Sequence, residues 1–136
     1  MSQRKVAESL INLEKALKRL GEALQEKEIN SLYIDGTIQR FEFSIELYWK
    51  TLKRLLAEEG IEAKTPRETL KQAFTIDWIQ DEVTWLQMLR DRNETSHVYN
   101  EDKAKQIYDN IVRYFPVMNS TFEKLKKRFE EQRDEL

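Results

Sequence analysis

Apolar residues recur at alternating spacings of three and four along most of this chain, and this spacing strongly constrains the fold. The first stripe consists of Val6, Leu10, Leu13, Leu17, Leu20 and Leu24. Such spacing places all of these side chains on one face of an α-helix. No segment alternates apolar and polar residues with the period of two that is typical of a half-buried strand. The sequence therefore predicts an all-α protein.

Two further stripes predict two more long helices. Their members are Ile38, Phe41, Ile45, Tyr48, Leu52 and Leu55, and then Tyr108, Ile111, Phe115, Met118, Phe122, Leu125 and Phe129. Pro116 lies within the last stripe, and we expect it to interrupt and bend that helix because its nitrogen has no hydrogen to donate. The segment 124–136 is nearly all charged, so we expect about the last six residues to fray.

Capping residues indicate where several helices begin and end. The predicted caps are Thr65, Pro66 and Glu68 at the start of a short third helix, Asp81 and Asn100 before the fourth and fifth helices, and Gly60 after the second. The pair Asp35–Gly36 is a turn signal in a segment that has lost the apolar pattern. We expect Trp78 and Ile79, between the third and fourth helices, to be buried in the core.

These elements predict an up-and-down bundle of four main helices plus one short helix. The 136 residues suit a single domain, spanning 1–136, with a core that needs neither disulfides nor metals. The sequence has no long apolar run and no secretory leader pattern. We therefore expect a soluble, cytoplasmic protein that does not enter a membrane.

Composition excludes several kinds of functional site. The absence of Cys excludes disulfides, thiolate metal sites and cysteine nucleophiles, and the single His excludes a site built from two imidazoles of one chain. Three Gly are too few for glycine-rich phosphate loops. We expect no metal and no cofactor. The net charge of −2 means that any RNA must be bound by a local patch of cations.

The apolar stripe of the fourth helix ends in polar residues. It runs through Trp85, Leu86 and Leu89, and the same steps then reach Arg92, Asn93 and Ser96. Polar groups therefore occupy positions where apolar residues are expected, and such a break in a local rule tends to mark a functional site.

The only histidine of the chain lies beside this break. Asn93 and His97 are four residues apart and share a helix face, so the Asn93 amide can hydrogen-bond the imidazole and fix its tautomer. Arg92 and Tyr99 complete a compact polar cluster. The structural alternative is a His97 that only bonds a carbonyl at the helix end, beside an ordinary solvated run at 90–92. Spacing alone favours this alternative.

Several segments resemble the nucleotidyltransferase substrate-binding protein family of the HEPN superfamily. They are residues 41–52 (FEFSIELYWKTL), 65–68 (TPRE), 85–99 (WLQMLRDRNETSHVY) and 114–116 (YFP). The segments occur in the order of the family, and the resemblance spans about residues 1–130. It implies a HEPN-like helical bundle that forms a homodimer and is encoded beside a minimal nucleotidyltransferase.

The defining motif of that family is Arg, a polar residue, three variable residues and His, and here it is Arg92, Asn93 and His97. The resemblance implies one of two roles. One is a metal-independent RNase toxin that the nucleotidyltransferase silences, in related pairs by adenylylation of a motif tyrosine, here Tyr99. The other is the non-catalytic substrate-binding subunit of a two-chain nucleotidyltransferase.

Metal-free RNA cleavage requires a base, an acid and a cation that stabilises the charged phosphorane. One imidazole serves both proton roles poorly, but a twofold dimer brings two copies of the same patch together. Two His97 and two Arg92 would then share a cleft, with Asn93 orienting the imidazole and Arg90 and Arg92 as candidate RNA contacts. We favour the toxin role because the motif is complete, including Tyr99.

A third class of function is a dimeric binding module without catalysis. Phe43, Leu47 and Trp49 lie on other faces of the second helix and are candidates for such an interface. We favour core packing for these three side chains.

Overall fold

The computed structural model describes residues 2–94 and 100–134, which form five α-helices. They are α1 (Ser2–Leu24), α2 (Ser31–Glu58), α3 (Pro66–Thr75), α4 (Glu82–Glu94) and α5 (Glu101–Asp134). No strand occurs within these two ranges, so the predicted all-α bundle is confirmed. No helix in the described part of the chain is long and apolar enough to cross a membrane.

Helix α2 lies at the centre of the bundle and contacts each of the other four helices. The apolar stripes predicted for α1, α2 and α5 face a common core, in which Trp78 and Ile79 are also buried as expected. Two aromatic pairs connect α2 to its neighbours. The rings of Phe41 and Tyr114 stack with their centroids 5.8 Å apart, and Tyr48 meets Trp85 edge-on at 4.7 Å. The position of α4 and α5 is thereby set against α2.

The predicted caps are present, with one correction at the start of α2. Thr65, Asp81 and Asn100 each accept a hydrogen bond from the backbone N–H three residues ahead. Gly60 has a φ of 76° and ends α2. The turn predicted at Asp35–Gly36 is wrong, because α2 begins at Ser31 and includes both residues. Its N-cap is Asn30, whose side chain accepts from Tyr33 N at 3.0 Å, and a long helix tolerates the cost of one internal glycine.

Helix α5 is continuous through Pro116, where we expected an interruption, and it continues to Asp134 despite its charged end. Packing on both sides of the proline explains the continuity. Tyr114 and Met118 are buried, and the Tyr48 hydroxyl donates to the Met118 carbonyl oxygen at 2.7 Å. Buried Phe129 holds the last turns against the bundle. This tertiary packing offsets the roughly 3 kcal/mol cost of an internal proline.

The expectation of core packing is wrong for Phe43, which is 62% exposed. Leu47 and Trp49 are partly buried. The reason is that Phe43 lies on the side of α2 that points away from buried Phe41 and Ile45, where none of the helices within residues 2–94 and 100–134 buries it.

Candidate functional site at the end of helix α4

Helix α4 faces the core with Trp85, Met88 and Asp91, which are spaced three residues apart. The predicted inward stripe is confirmed for Trp85, whereas Leu86 and Leu89 are only partly buried and pack against the core. The polar break begins at Asp91 and not at Arg92. Asp91 is only 8% exposed, although the sequence interpretation placed it in a solvated run.

The buried Asp91 carboxylate is satisfied by two donors from α5. Its Oδ2 accepts a hydrogen bond from the Tyr114 hydroxyl at 2.7 Å and another from Asn110 Nδ2 at 3.0 Å. Arg113 in turn donates to Asn110 Oδ1. A buried carboxylate without such donors would destabilise the fold, so this network explains why α4 tolerates an inward acid. Burial, followed by the hydrogen bond to Asp91, raises the pKa of Tyr114 and keeps its hydroxyl protonated as a donor.

Arg92 is held between α4 and α2 by Glu46. Arg92 Nε lies 3.3 Å from Glu46 Oε2, and both side chains are about one-third exposed. The other oxygen of Glu46 lies 3.4 Å from Lys50 Nζ. The Arg92 and Glu46 side chains thus form an ion pair that connects α4 with α2. Sequence reasoning missed Glu46, although it lies inside the family-like segment 41–52.

The last turn of α4 is tied to the first turn of α5 across the residues that separate them. Lys103 Nζ lies 2.8 Å from Glu94 Oε2, and this contact raises the pKa of Lys103. Asn93 and Arg90 are exposed on α4, and Asn100 caps α5. His97 and Tyr99 lie outside the described residues. Of the predicted site, the structure therefore places Arg92 and Asn93 side by side at the helix end that leads into residues 95–99.

The described part of this site offers a cation and a side-chain amide. The Arg92 guanidinium is a cation that can stabilise a phosphate or an oxyanion. Asn93 can donate and accept hydrogen bonds at the exposed surface. No group of three or more potential metal ligands occurs among residues 2–94 and 100–134. Proton transfer would require a side chain other than Arg92 and Asn93.

Comparison with known proteins supports the assignment of the chain to one family. Residues 8–127 match the sequence model of the family described as nucleotidyltransferase substrate binding protein like. A Haemophilus influenzae protein named probable ribonuclease HepT is 31% identical over 110 residues, and the match covers 77% of this chain and 75% of that protein.

Two solved structures share the fold. A Thermus thermophilus protein, ttk003001694, is 33% identical with a TM-score of 0.78, and the match covers 83% of this chain and 98% of that one. HI0074 from Haemophilus influenzae is 26% identical with a TM-score of 0.66, covering 91% and 98%. Its structure is described as the fold of a substrate-binding domain of a nucleotidyltransferase. The chain therefore belongs to the nucleotidyltransferase substrate-binding protein family.

Proposed function

We propose that this protein is a metal-independent endoribonuclease of the HEPN type, the toxin of a two-gene pair, and that a minimal nucleotidyltransferase neutralises it. The observation that carries the proposal is the Arg92–Glu46 ion pair, which keeps a guanidinium at the end of α4, five residues before His97. The similarity to a protein named probable ribonuclease HepT supports the same activity.

The proposed chemistry needs two copies of the chain. In one copy, His97 takes the proton of the 2′-hydroxyl, and in the other it protonates the leaving 5′-oxygen. Arg92 stabilises the charge that develops on the phosphorus oxygens, and Asn93 orients the imidazole. A twofold dimer that joins the two α4 ends supplies both histidines. Sedimentation that finds only a monomer would contradict this composite site.

The test is expression of the chain in bacteria with and without its nucleotidyltransferase partner. We expect the chain alone to arrest growth, and we expect His97→Ala or Arg92→Ala to relieve the arrest. Arg67→Ala, an exposed arginine on α3, is the matched control and should remain toxic. Harmless expression of the wild-type chain, with no RNA cleavage by the purified protein, would reject the toxin role.

The second candidate is a substrate-binding subunit of a two-chain nucleotidyltransferase. It is favoured by the description of the HI0074 fold and by the name of the family. In that role the two chains together would bind a small acceptor molecule that the nucleotidyltransferase alone does not bind. Calorimetric titration of the acceptor into each preparation separates this candidate from the toxin.

Silencing is proposed to occur by adenylylation of Tyr99, which lies two residues after His97. The Tyr99 hydroxyl oxygen would bond to the α-phosphorus of ATP held by the nucleotidyltransferase, with release of pyrophosphate and of the hydroxyl proton. An AMP group there would add negative charge beside the cleft that must bind RNA phosphates. Intact mass measured after co-expression with the partner should increase by one or more AMP units. The increase should be absent in Tyr99→Phe, and an increase that survives this substitution would reject the assignment.

A further inference from the structure

A groove between α1 and α2 lies outside the site described above. It has a volume of about 410 Å³ and is lined by Ala16, Arg19, Gly36, Gln39, Arg40 and Phe43. The groove is open at Gly36, where a built Cβ would meet no atom within 4 Å. Both charged residues of this lining are arginines, in a protein whose net charge is −2. The groove is therefore a local cationic surface.

The two arginines are linked to each other. Arg40 Nη1 donates to the Arg19 backbone carbonyl at 2.6 Å, which holds the Arg40 head group over the groove. A guanidinium carries five N–H donors, so most of those on Arg40 remain available to a ligand. Guanidinium groups bind phosphates through paired hydrogen bonds. The chemistry of the lining therefore suits an anion with several oxygens.

Phe43 forms the outer edge of this groove and adds an aromatic face. It lies three residues after Arg40 and three residues before Glu46. On an α-helix these two neighbours are rotated by about 60° to opposite sides of Phe43 and are separated by about 9 Å along the axis. Since Glu46 contacts Arg92, the exposed Phe43 lies within one helical turn both of Arg40 in the groove and of the residue that pairs with the candidate cleavage site.

We propose that the α1–α2 groove is a subsite for single-stranded RNA, in which Phe43 stacks on a base and Arg19 and Arg40 bind phosphates next to the scissile bond. Cations that follow the backbone, combined with an aromatic platform for the bases, are the usual means of binding single strands. The assignment rests on the proposed RNase function. It adds residues of α1 and α2 to a site otherwise confined to the end of α4.

Charge favours RNA over a second copy of the chain as the occupant. In a twofold contact centred on this groove, Arg19 and Arg40 of one copy would face the same arginines of the other. Such a like-charge contact is unfavourable, whereas a polyanion neutralises both side chains.

The test measures binding of a fluorescent single-stranded RNA of about 12 nucleotides by anisotropy, in a His97→Ala background that prevents cleavage. We expect Phe43→Ala to weaken binding about tenfold and Phe43→Trp to retain it, because the larger ring still stacks. Arg19→Gln with Arg40→Gln should reduce the slope of log K against log salt by about 1.4. The controls Phe74→Ala and Arg67→Gln, both exposed on α3, should change neither quantity.

Unchanged RNA binding by Phe43→Ala would overturn the subsite. A Phe43→Ala protein that sediments as a monomer, when the parent is a dimer, would also overturn it and assign the groove to contact between copies. The subsite and the RNase function fail separately. If the wild-type chain does not cleave RNA but binding still depends on Phe43, RNA binding by the groove stands and only the RNase function is rejected.

Discussion

The Tyr114 hydroxyl donates a 2.7 Å hydrogen bond to Oδ2 of Asp91, and this contact joins two segments that resemble the family. Asp91 belongs to the segment 85–99 and Tyr114 to the segment 114–116. The Tyr114 ring also stacks on Phe41 of the third segment, 41–52. Three of the four family-like segments are thus in direct contact, and Glu46 of one of them also pairs with Arg92.

Removing the acceptor of this network should lower the free energy of unfolding more than removing one donor does. Asp91→Ala leaves both the Tyr114 hydroxyl and the Asn110 amide without their acceptor, so we expect a loss of about 2–3 kcal/mol in the free energy of unfolding. Tyr114→Phe should cost about 1–2 kcal/mol, because Asn110 still satisfies the carboxylate. Urea denaturation of both variants and of the double variant measures the coupling. Strict additivity would contradict a shared network.

Burial and hydrogen bonding should delay the ionisation of two tyrosines. Burial raises the pKa of Tyr48, and burial with the Asp91 contact raises the pKa of Tyr114. The folded state therefore prefers both hydroxyls protonated, and their stabilising effect is present below about pH 10 and is lost at higher pH. In a titration to about pH 10.5, the wild type and Tyr114→Phe should therefore gain the same phenolate absorbance, because Tyr114 stays protonated over this range. A smaller gain in the variant would contradict the burial of this hydroxyl.

The ends of α2 and α3 have the same geometry but different residues. Gly60 and Asp77 both follow their helix with a positive φ, of 76° and 69°. Asp77→Gly should raise the free energy of unfolding by about 0.5–1 kcal/mol, because a Cβ is strained in this conformation. Gly60→Ala should lower it by about 1 kcal/mol for the same reason. Thermal or urea unfolding measures both changes in the free energy of unfolding. Two changes of the same sign would contradict the strain proposed for a Cβ at these positions.

The carboxylate of Asp81 should stabilise α4 only when it is charged. The Thr84 hydroxyl, 2.5 Å from Oδ2, and the Thr84 N–H lower the pKa of Asp81. Its contribution is therefore present above the unfolded pKa of about 3.9 and is lost as the pH falls through the lower folded value. Asp81→Ala should cost about 1 kcal/mol at neutral pH. The difference from wild type should shrink below pH ~4, and Asp81→Asn, which keeps a cap oxygen but not the charge, should lie between wild type and Asp81→Ala at neutral pH.

The sequence predicted the features that depend on local rules. Apolar spacing located the buried faces of α1, α2 and α5, and the cap at Thr65 was identified from its own residue type. Local rules failed where tertiary contacts decide. Asp91 was assigned to a solvated run and Glu46 was overlooked, and only the partners brought by α5 and α4 place these acids in the site. The sequence also did not predict that Met88 and Asp91 are buried on the same face of α4 as Trp85. A charged residue is not expected at a buried position, so this spacing was not recognised.

Cleavage of RNA by the purified chain in excess EDTA tests the central proposal most directly. We expect metal-free cleavage that leaves a 2′,3′-cyclic phosphate, because the 2′-hydroxyl is the proposed nucleophile. His97→Ala and Arg92→Ala should each reduce the rate by about 100-fold or more, and Arg67→Ala should leave it unchanged. No cleavage by the wild-type protein, or full cleavage by His97→Ala, would contradict the proposed function.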